Sequence, residues 1–532
     1  MFHNTKRKCI IDIKLTKNTL KENEMRKILI YIVILGFSTM IASCEQIDYP
    51  TLFQTISEEI ETSVPSIINH DFDLPSYTNV DVSYELNNIS FNGTYEYISP
   101  FYDIDTKLNY KIVKNDQMYE GSIDVRLLAD DSGENNYELH LTLADSVENV
   151  SRDLYMQASV VAKRNLNGIE ETELETTEAQ IRGRGNSTWF SYPKKPFRLR
   201  FNENTSIFGM PEAKNYVLLA EYADKSLMRN TIVHKLSSLS EVLPYKLETR
   251  FVELYINTTY MGLYVLTEQV EVHKNKLDLN PVPGVADTDY LIELDMRFYD
   301  QSIEPGYDWF VVNGIPYEIK DPDVDDIGFS SVHADYMFNY LKSVDDALLA
   351  KSGYETLIDV EAFIDYFIIQ ELVKNVDVGY SSVFYMKKAG GLLQPGPLWD
   401  FDFAIGNADY IDYGPENFYG MRAYKNRLFQ LMMDIPEIRE QYRIRFHQYY
   451  LDQLPKLYEM IPVLSASIDE QVTKNFDKWQ ILNEYVWPNP TELVEANTFA
   501  LQVIYIEHYL KERAEWMLNA MNQDDYNEGI FE

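Results

Sequence analysis

Cysteine is almost absent from the chain. The two thiols in 532 residues are Cys9 and Cys44, which excludes a disulfide-stapled scaffold and any cysteine-rich zinc module. Positive charge is also scarce. Lys and Arg number 47 against 84 Asp and Glu, for a formal net charge of −37. So acidic a chain is not built for broad electrostatic binding to nucleic acid or anionic lipid. The apolar run at 28–37 is too short to cross a bilayer, which takes about 20 residues. No HExxH and no GxSxG occurs, so the common zinc- and serine-hydrolase signatures are missing. Apolar material is plentiful: 45% of residues are hydrophobic and 14% aromatic. That supports large cores and excludes wholesale disorder. The length suggests about two to four domains.

The N-terminus reads as an export signal. Met25-Arg-Lys opens a second start, followed by the apolar run and the small residues Ile41-Ala-Ser-Cys44. A basic start, a short apolar stretch and small residues before a cleavage point make a secretory signal. The ending resembles a bacterial lipobox, which implies lipid on Cys44 and an exported, membrane-anchored lipoprotein in the periplasm or at the cell surface. Residues 1–24 would then be a non-native extension ahead of the signal, which ends at 44, and 45–62 a polar tether.

Beyond the tether, short alternating runs separated by turn clusters suggest a small all-β sandwich over 63–163, immunoglobulin-like in shape. The Glu- and Thr-rich stretch 164–180 reads as a linker. Strand patterns dominate from 181 to about 295, with one helix near 224–240. Helical periodicity follows, with a break at Pro488-Asn-Pro490 and a short tail at 523–532. Strand-rich then helix-rich over 181–522 reads as α+β with two lobes.

One segment contradicts the global charge. Residues 181–200 carry Arg182, Arg184, Lys194, Lys195, Arg198 and Arg200 and no acid. Anions collect at such an island. Gly183 and Gly185 permit a nest of backbone N–H groups, and Asn186, Ser187 and Thr188 add short donors. The stretch is neither a Walker A loop nor a full GxGxxG, and a solvated basic hairpin has the same composition. Further on, Asp377 follows an apolar helix, while Asp400 and Asp402 sit among Leu398, Trp399, Phe401 and Phe403. Buried carboxylates need a partner or a metal. Hard oxygen ligands suit Mg²⁺ or Mn²⁺; a helix cap or an ion pair is the alternative.

Seven segments in order resemble the family named after the spore coat protein CotH, whose members are similar to atypical protein kinases. They include Arg182-Gly-Arg-Gly-Asn-Ser-Thr-Trp189, Lys194-Lys-Pro-Phe-Arg-Leu-Arg-Phe201, Leu218–Asn230, Val252–Glu268, Tyr290–Asp295, Asn375-Val-Asp377 and Trp399-Asp-Phe-Asp402. The resemblance implies a two-lobed kinase-like fold that binds ATP with Mg²⁺ or Mn²⁺ and phosphorylates Ser or Thr of a surface protein. By analogy the 182–189 turn covers the phosphates, Lys194 or Lys195 pairs with them, and Asp377 serves the acceptor hydroxyl. Asp400, with Asp402, holds metal. Ser382 occupies the second metal-ligand position, where kinases often carry Asn. Glu268, Glu293 and Asp295 are secondary candidates. The competing expectation is a non-catalytic surface module binding a nucleotide, sugar or glycan in a degenerate pocket.

The lipobox yields a direct test. Mass spectrometry of membrane-extracted protein should find a mature N-terminus at Cys44 carrying lipid. An unmodified peptide running through Ser43 and Cys44 would refute the anchor.

Overall fold

The computed structural model describes residues 48–86, 89–95, 97, 104–129, 135–166, 169–300, 308–420 and 426–523. The signal, the lipobox with Cys44, and the end of the tail lie outside them. The chain divides into two compact units, with the boundary near residue 129.

Among the described residues, the first unit holds a five-stranded sheet, a two-stranded ribbon and one helix. Helix α1 (Tyr49–Ser63) has Pro50 in its first turn and buries Phe53, Ile56 and Ile60 along one stripe. The sheet runs β1-β7-β6-β3-β4, where β1 is Ile67–Ile68, β3 Asp81–Leu86, β4 Ile89–Phe91, β6 Ile104–Lys114 and β7 Gln117–Leu127. In β6, Leu108, Tyr110 and Ile112 alternate inward and join the α1 side chains in one core. β2 (Phe72–Asp73) and β5 (Thr94–Tyr95) form a separate ribbon. Two expectations are corrected here. The 45–62 tether is largely helix, because its apolar residues fall three and four apart. A full immunoglobulin-like sandwich is not found among the described residues; α1 and the short β2–β5 ribbon share the sheet's core in place of a second full sheet.

The second unit begins with a closed seven-stranded barrel. Its order is β10-β11-β12-β14-β13-β8-β9, formed by β8 (Asn135–Leu143), β9 (Met156–Leu166), β10 (Ile169–Gly183), β11 (Phe197–Thr205), β12 (Ala213–Leu219), β13 (Thr249–Ile256) and β14 (Thr259–Glu268). Only the β8–β13 closure is parallel. Phe197, Leu199 and Phe201 point inward as their alternation predicts, and meet Leu139, Val160, Ile181 and Leu254. The stretch 164–180 is therefore not a linker. It is the end of β9 and most of β10, whose Glu and Thr residues suit the outer face of a strand. Residues 135–163 likewise belong to the barrel, so the β-rich region expected over 63–163 is shared between the two units.

A second, antiparallel sheet follows. Its order is β16-β17-β15-β18-β19, where β15 is Tyr290–Leu294, β16 Trp309–Val312, β17 Ile315–Asp321, β18 Val383–Lys387 and β19 Leu393–Pro395. The short helix α2 (Ser187–Ser191) lies between β10 and β11, α3 (Arg229–Ser238) between β12 and β13, and α4 (Arg297–Asp300) after β15. Then come α5 (Ser331–Leu349), α6 (Val360–Leu372), α7 (Arg427–Met433), α8 (Pro436–Gln448), α9 (Leu454–Ser467), α10 (Asp469–Lys478), α11 (Thr491–Glu495) and α12 (Phe499–Met521). The class is α+β, as expected. α6 is buried from Ala362 to Leu372, as an apolar helix without a polar face must be. Among the described residues no helix is long and apolar enough to cross a membrane.

Arg513 of α12 fastens this region. It pairs with Glu371 of α6 at 2.7 Å and donates to the carbonyls of Pro415 and Asn417, while Glu371 accepts the N–H of Gly420 at 2.7 Å. Both side chains are wholly buried. Arg513→Met removes the cation that faces the buried Glu371 carboxylate and is expected to cost about 3–5 kcal/mol, measurable by denaturant unfolding.

Candidate active site

A cavity of about 450 Å³ opens where the barrel meets the second sheet. From the barrel side it is lined by Arg152, by the turn Arg184-Gly-Asn-Ser-Thr188 at the end of β10, and by Gln269 and Val270 just after β14. From the other side come Glu293 of β15, Lys320 of β17, Arg297, and two loops. One loop, between α6 and β18, brings Asp377, Tyr380, Ser381 and Ser382; the other, after β19, brings Trp399, Asp400, Asp402 and Phe403.

The turn owes its course to glycine. Gly185 has φ +82°, and a Cβ there would collide with the Thr188 hydroxyl. A Cβ on Gly183 would run into the Trp189 ring. Arg184 then lies against Trp399, its guanidinium 5.3 Å from the ring centroid. Burial pulls its pKa down, and the charges of Asp400 and Asp402 oppose that shift.

The acids are held by an unusual backbone. Asp400 has φ 71° and Ser382 has φ 62°, both left-handed, and the Ser382 hydroxyl donates to Asp400 Oδ2 at 3.2 Å. Strain of this kind persists where surrounding bonds over-determine it. The bonds come from the first turn of α3 and the segment that leads into it. Asn230 Oδ1 accepts the N–H of Phe401, next to Asp400, at 2.8 Å, while its amide donates to Glu221 at 3.0 Å. Arg229 donates to the carbonyls of Ala404 at 2.9 Å and Ile405 at 3.2 Å, and is itself paired with the buried Asp224.

Three of the cavity's acids, Asp377, Asp402 and Glu293, resist ionisation. Burial and the charge of Asp400 push Asp377 up to about 7, with Arg297 opposing. Asp402 is held well above the usual carboxylate range by burial and by Asp400, Glu221, Asp377 and Asp224. Glu293 is pushed up to about 7 by burial, with Lys320, 3.6 Å away, opposing. Among the described residues no three His, Cys, Asp or Glu side chains converge closely enough to hold a metal ion by themselves. Mg²⁺, however, commonly takes one or two carboxylates and completes its shell with phosphate and water. Mutually repelling buried acids are what a hard divalent cation relieves, so the donor set fits one.

The cavity thus gathers Arg184, Gly185, Asn186, Ser187, Asp377, Ser382, Asp400 and Asp402 of the residues expected from sequence. Four others are not among its lining. Lys194 is buried and donates to Asn475 Oδ1 at 3.0 Å and to the Leu263 carbonyl; burial lowers its pKa to about 7. Lys195 donates to the Trp189 carbonyl at 2.6 Å. Arg182 turns to the outer face of the barrel, its guanidinium 5.1 Å from the Tyr155 ring centroid. Glu268 is buried, accepting from Tyr245 at 2.6 Å and the Glu248 N–H at 3.0 Å. Strand alternation explains the placement of Arg182 and Glu268, since a residue's face depends on the register its strand adopts, whereas Lys194 and Lys195 lie in the turn before β11 and are drawn to carbonyls and amides elsewhere in the fold. Of the secondary candidates, Glu293 lines the cavity, and Asp295 pairs with Arg297 at 2.7 Å. Arg152, Arg297, Lys320, Tyr410 and Trp487 are lining residues that the sequence did not single out; they lie outside the charge island and the Asp loops.

The family profile described as CotH kinase protein matches residues 181–517, more than half of the chain. The chain belongs to the CotH kinase family. No curated protein sequence matches it significantly. The matched region opens at β10, partway round the barrel, and takes in all the cavity-lining residues except Arg152.

Asp402 supplies a test of the electrostatics. Its folded pKa is raised, so the unfolded chain releases this proton first and the penalty on the folded state grows as pH rises past the usual carboxylate range. Asp402→Asn should raise the ligand-free Tm at pH 8 by about 1 °C, the shift that about 1 kcal/mol produces in a unit of roughly 400 residues. The gain should shrink toward pH 5. Thermal melts at the two pH values check it.

Proposed function

We propose that this CotH-family chain is an ATP-dependent protein kinase that transfers the terminal phosphoryl group to a Ser or Thr hydroxyl of a surface protein. The observation that carries this reading is the convergence of Asp377, Asp400 and Asp402 with Arg184 and the 185–188 turn in one cavity. Phosphoryl transfer asks mainly for positioning and charge neutralisation. Arg184 faces the phosphates with a buried charge, and Asn186, Ser187 and the turn's N–H groups donate to their oxygens. Val270, Phe384 and Trp399 give the base an apolar wall. Asp400 and Asp402 would hold Mg²⁺ or Mn²⁺, with the Ser382 hydroxyl as a weaker ligand. The ion, when bound, offsets phosphate charge. Asp377 orients the acceptor hydroxyl and accepts its proton. The two-lobed kinase-like architecture and the address are part of the same proposal: an exported lipoprotein, anchored through Cys44, with no nucleic-acid partner.

One observation favours a second reading. Lys194 and Lys195 point into protein carbonyls, and the lysine in the cavity, Lys320, is shared by Glu293 and Glu318 at 3.6 and 2.9 Å. A non-catalytic pocket for a nucleotide, sugar or glycan would tolerate that arrangement.

Radiolabelled ATP with Mg²⁺ or Mn²⁺ and protein acceptors separates the two. Asp377→Asn should lower transfer by about 10²–10⁴-fold, as for a lost general base, while leaving ATP affinity by calorimetry nearly unchanged. Only the ionised carboxylate accepts a proton, so kcat/KM should rise with pH and level off above about 7, where Asp377 titrates. No transfer by the unmutated chain with ATP or GTP and either metal would replace the kinase reading with the binding module.

A further inference from the structure

The six-cation segment is divided by the fold, and three of its members form a group of their own. Arg182 of β10 and Arg198 of β11 face each other in register, with Arg200 two residues on. Tyr155 sits among them, its ring centroid 5.1 Å from the Arg182 guanidinium and 4.8 Å from that of Arg200. Each cation is kept near like charge. The nearest acid is Glu271, 3.8 Å from Arg198, and it also serves Lys276 at 3.1 Å and the Asn215 amide at 2.7 Å. Arg182 Nε, Arg198 Nε and the Tyr155 hydroxyl have no hydrogen-bond partner. In a chain of net charge −37, three adjacent arginines sharing a fraction of one carboxylate are an anion site.

The surroundings indicate what carries the anion. Arg182 donates to the carbonyl of Arg152, a cavity-lining residue, so the group adjoins the cavity lining. Leu154, beside Tyr155, and Phe190, under the Arg152 guanidinium, are 74% and 70% exposed. Guanidinium groups pre-set on an aromatic ring and edged by exposed apolar side chains suit a peptide with acidic and apolar residues better than a free ion.

We propose that Arg182, Arg198 and Arg200, gathered around Tyr155 on the outer wall of the barrel, form a docking site for an acidic segment of the protein acceptor. That the segment belongs to an acceptor rests on the kinase reading; that the site takes an acidic peptide does not.

The test is fluorescence anisotropy on the full chain without nucleotide, using a short labelled Glu-rich peptide and a matched Lys-rich one. The Glu-rich peptide should bind, more weakly at high salt, and the Lys-rich peptide should not. Arg200→Gln and Arg198→Gln should each weaken binding roughly tenfold, the loss expected for one charge-assisted hydrogen bond. Arg200 is exposed, so its variant should keep the parent Tm and carries the test even if Arg198→Gln unfolds. With a Ser-bearing Glu-rich peptide, Arg200→Gln should raise KM at unchanged kcat. Unchanged peptide affinity in Arg200→Gln, or binding of phosphatidylglycerol vesicles with no binding of the Glu-rich peptide, would overturn the proposal. Peptide binding is read without ATP, so it decides the docking site whether or not transfer is found.

Discussion

The buried pair between Asp224 and Arg229 is the interaction on which the rest of the second unit depends. It ties the segment after β12 to the first residue of α3, and Arg229 extends from it to the carbonyls of Ala404 and Ile405. Asn230, the next residue, holds the peptide beside Asp400. A charge pair with no exposure gains little net energy from Coulomb attraction, because both partners lose their water. Its value is directional: a guanidinium fixed by one carboxylate can reach backbone carbonyls only where the facing loop takes one course. α3 begins at Arg229, and Ile232, Val233 and Leu236 sink into the core shared with α6 and α12. The barrel and the helical region are thereby joined through a helix that belongs to one by sequence and to the other by packing.

The cavity itself is electrostatically unfinished. Arg152, Arg184, Arg297 and Lys320 face Glu293, Asp377, Asp400 and Asp402, yet Asp377, Asp402 and Glu293 all titrate upward from their usual range. Equal numbers do not neutralise a site where desolvation weakens each charge separately. The left-handed backbone at Ser382 and Asp400 adds to the cost. Strain and like charge at one place are tolerated when a ligand relieves them, and the large cores elsewhere supply the stability to hold them.

Much of the site could be read from the sequence. Asp377 is recognisable because an apolar helix ends just before it, and Asp400 and Asp402 because aromatic residues surround them. The Gly-Arg-Gly turn is legible because Gly185 must take a positive φ. Less legible was the fate of each cation between 182 and 200. Charge density marks an island but carries no direction. Strand alternation sends Ile181 into the barrel and Arg182 outward, and Lys194 is committed to Asn475, a residue 281 positions away. The boundary between units is hard to see in the sequence for a similar reason. Thr- and Glu-rich chain looks like a linker until both of its neighbours in the sheet are known, and β10 is polar because its outer face is wet.

By itself, then, the sequence determined the α+β class, the family, and the three acids and the glycine turn that meet in the cavity, because these rest on local periodicity, on residue chemistry and on backbone constraints carried by single residues. The tertiary structure alone decided that the barrel closes with 135–180, that α1 covers the first sheet, and that Lys194, Lys195, Arg182 and Glu268 stay out of the cavity. Those outcomes depend on strand register and on partners far along the chain. A side chain's face and its partner are properties of the assembled sheet and not of the segment that bears it.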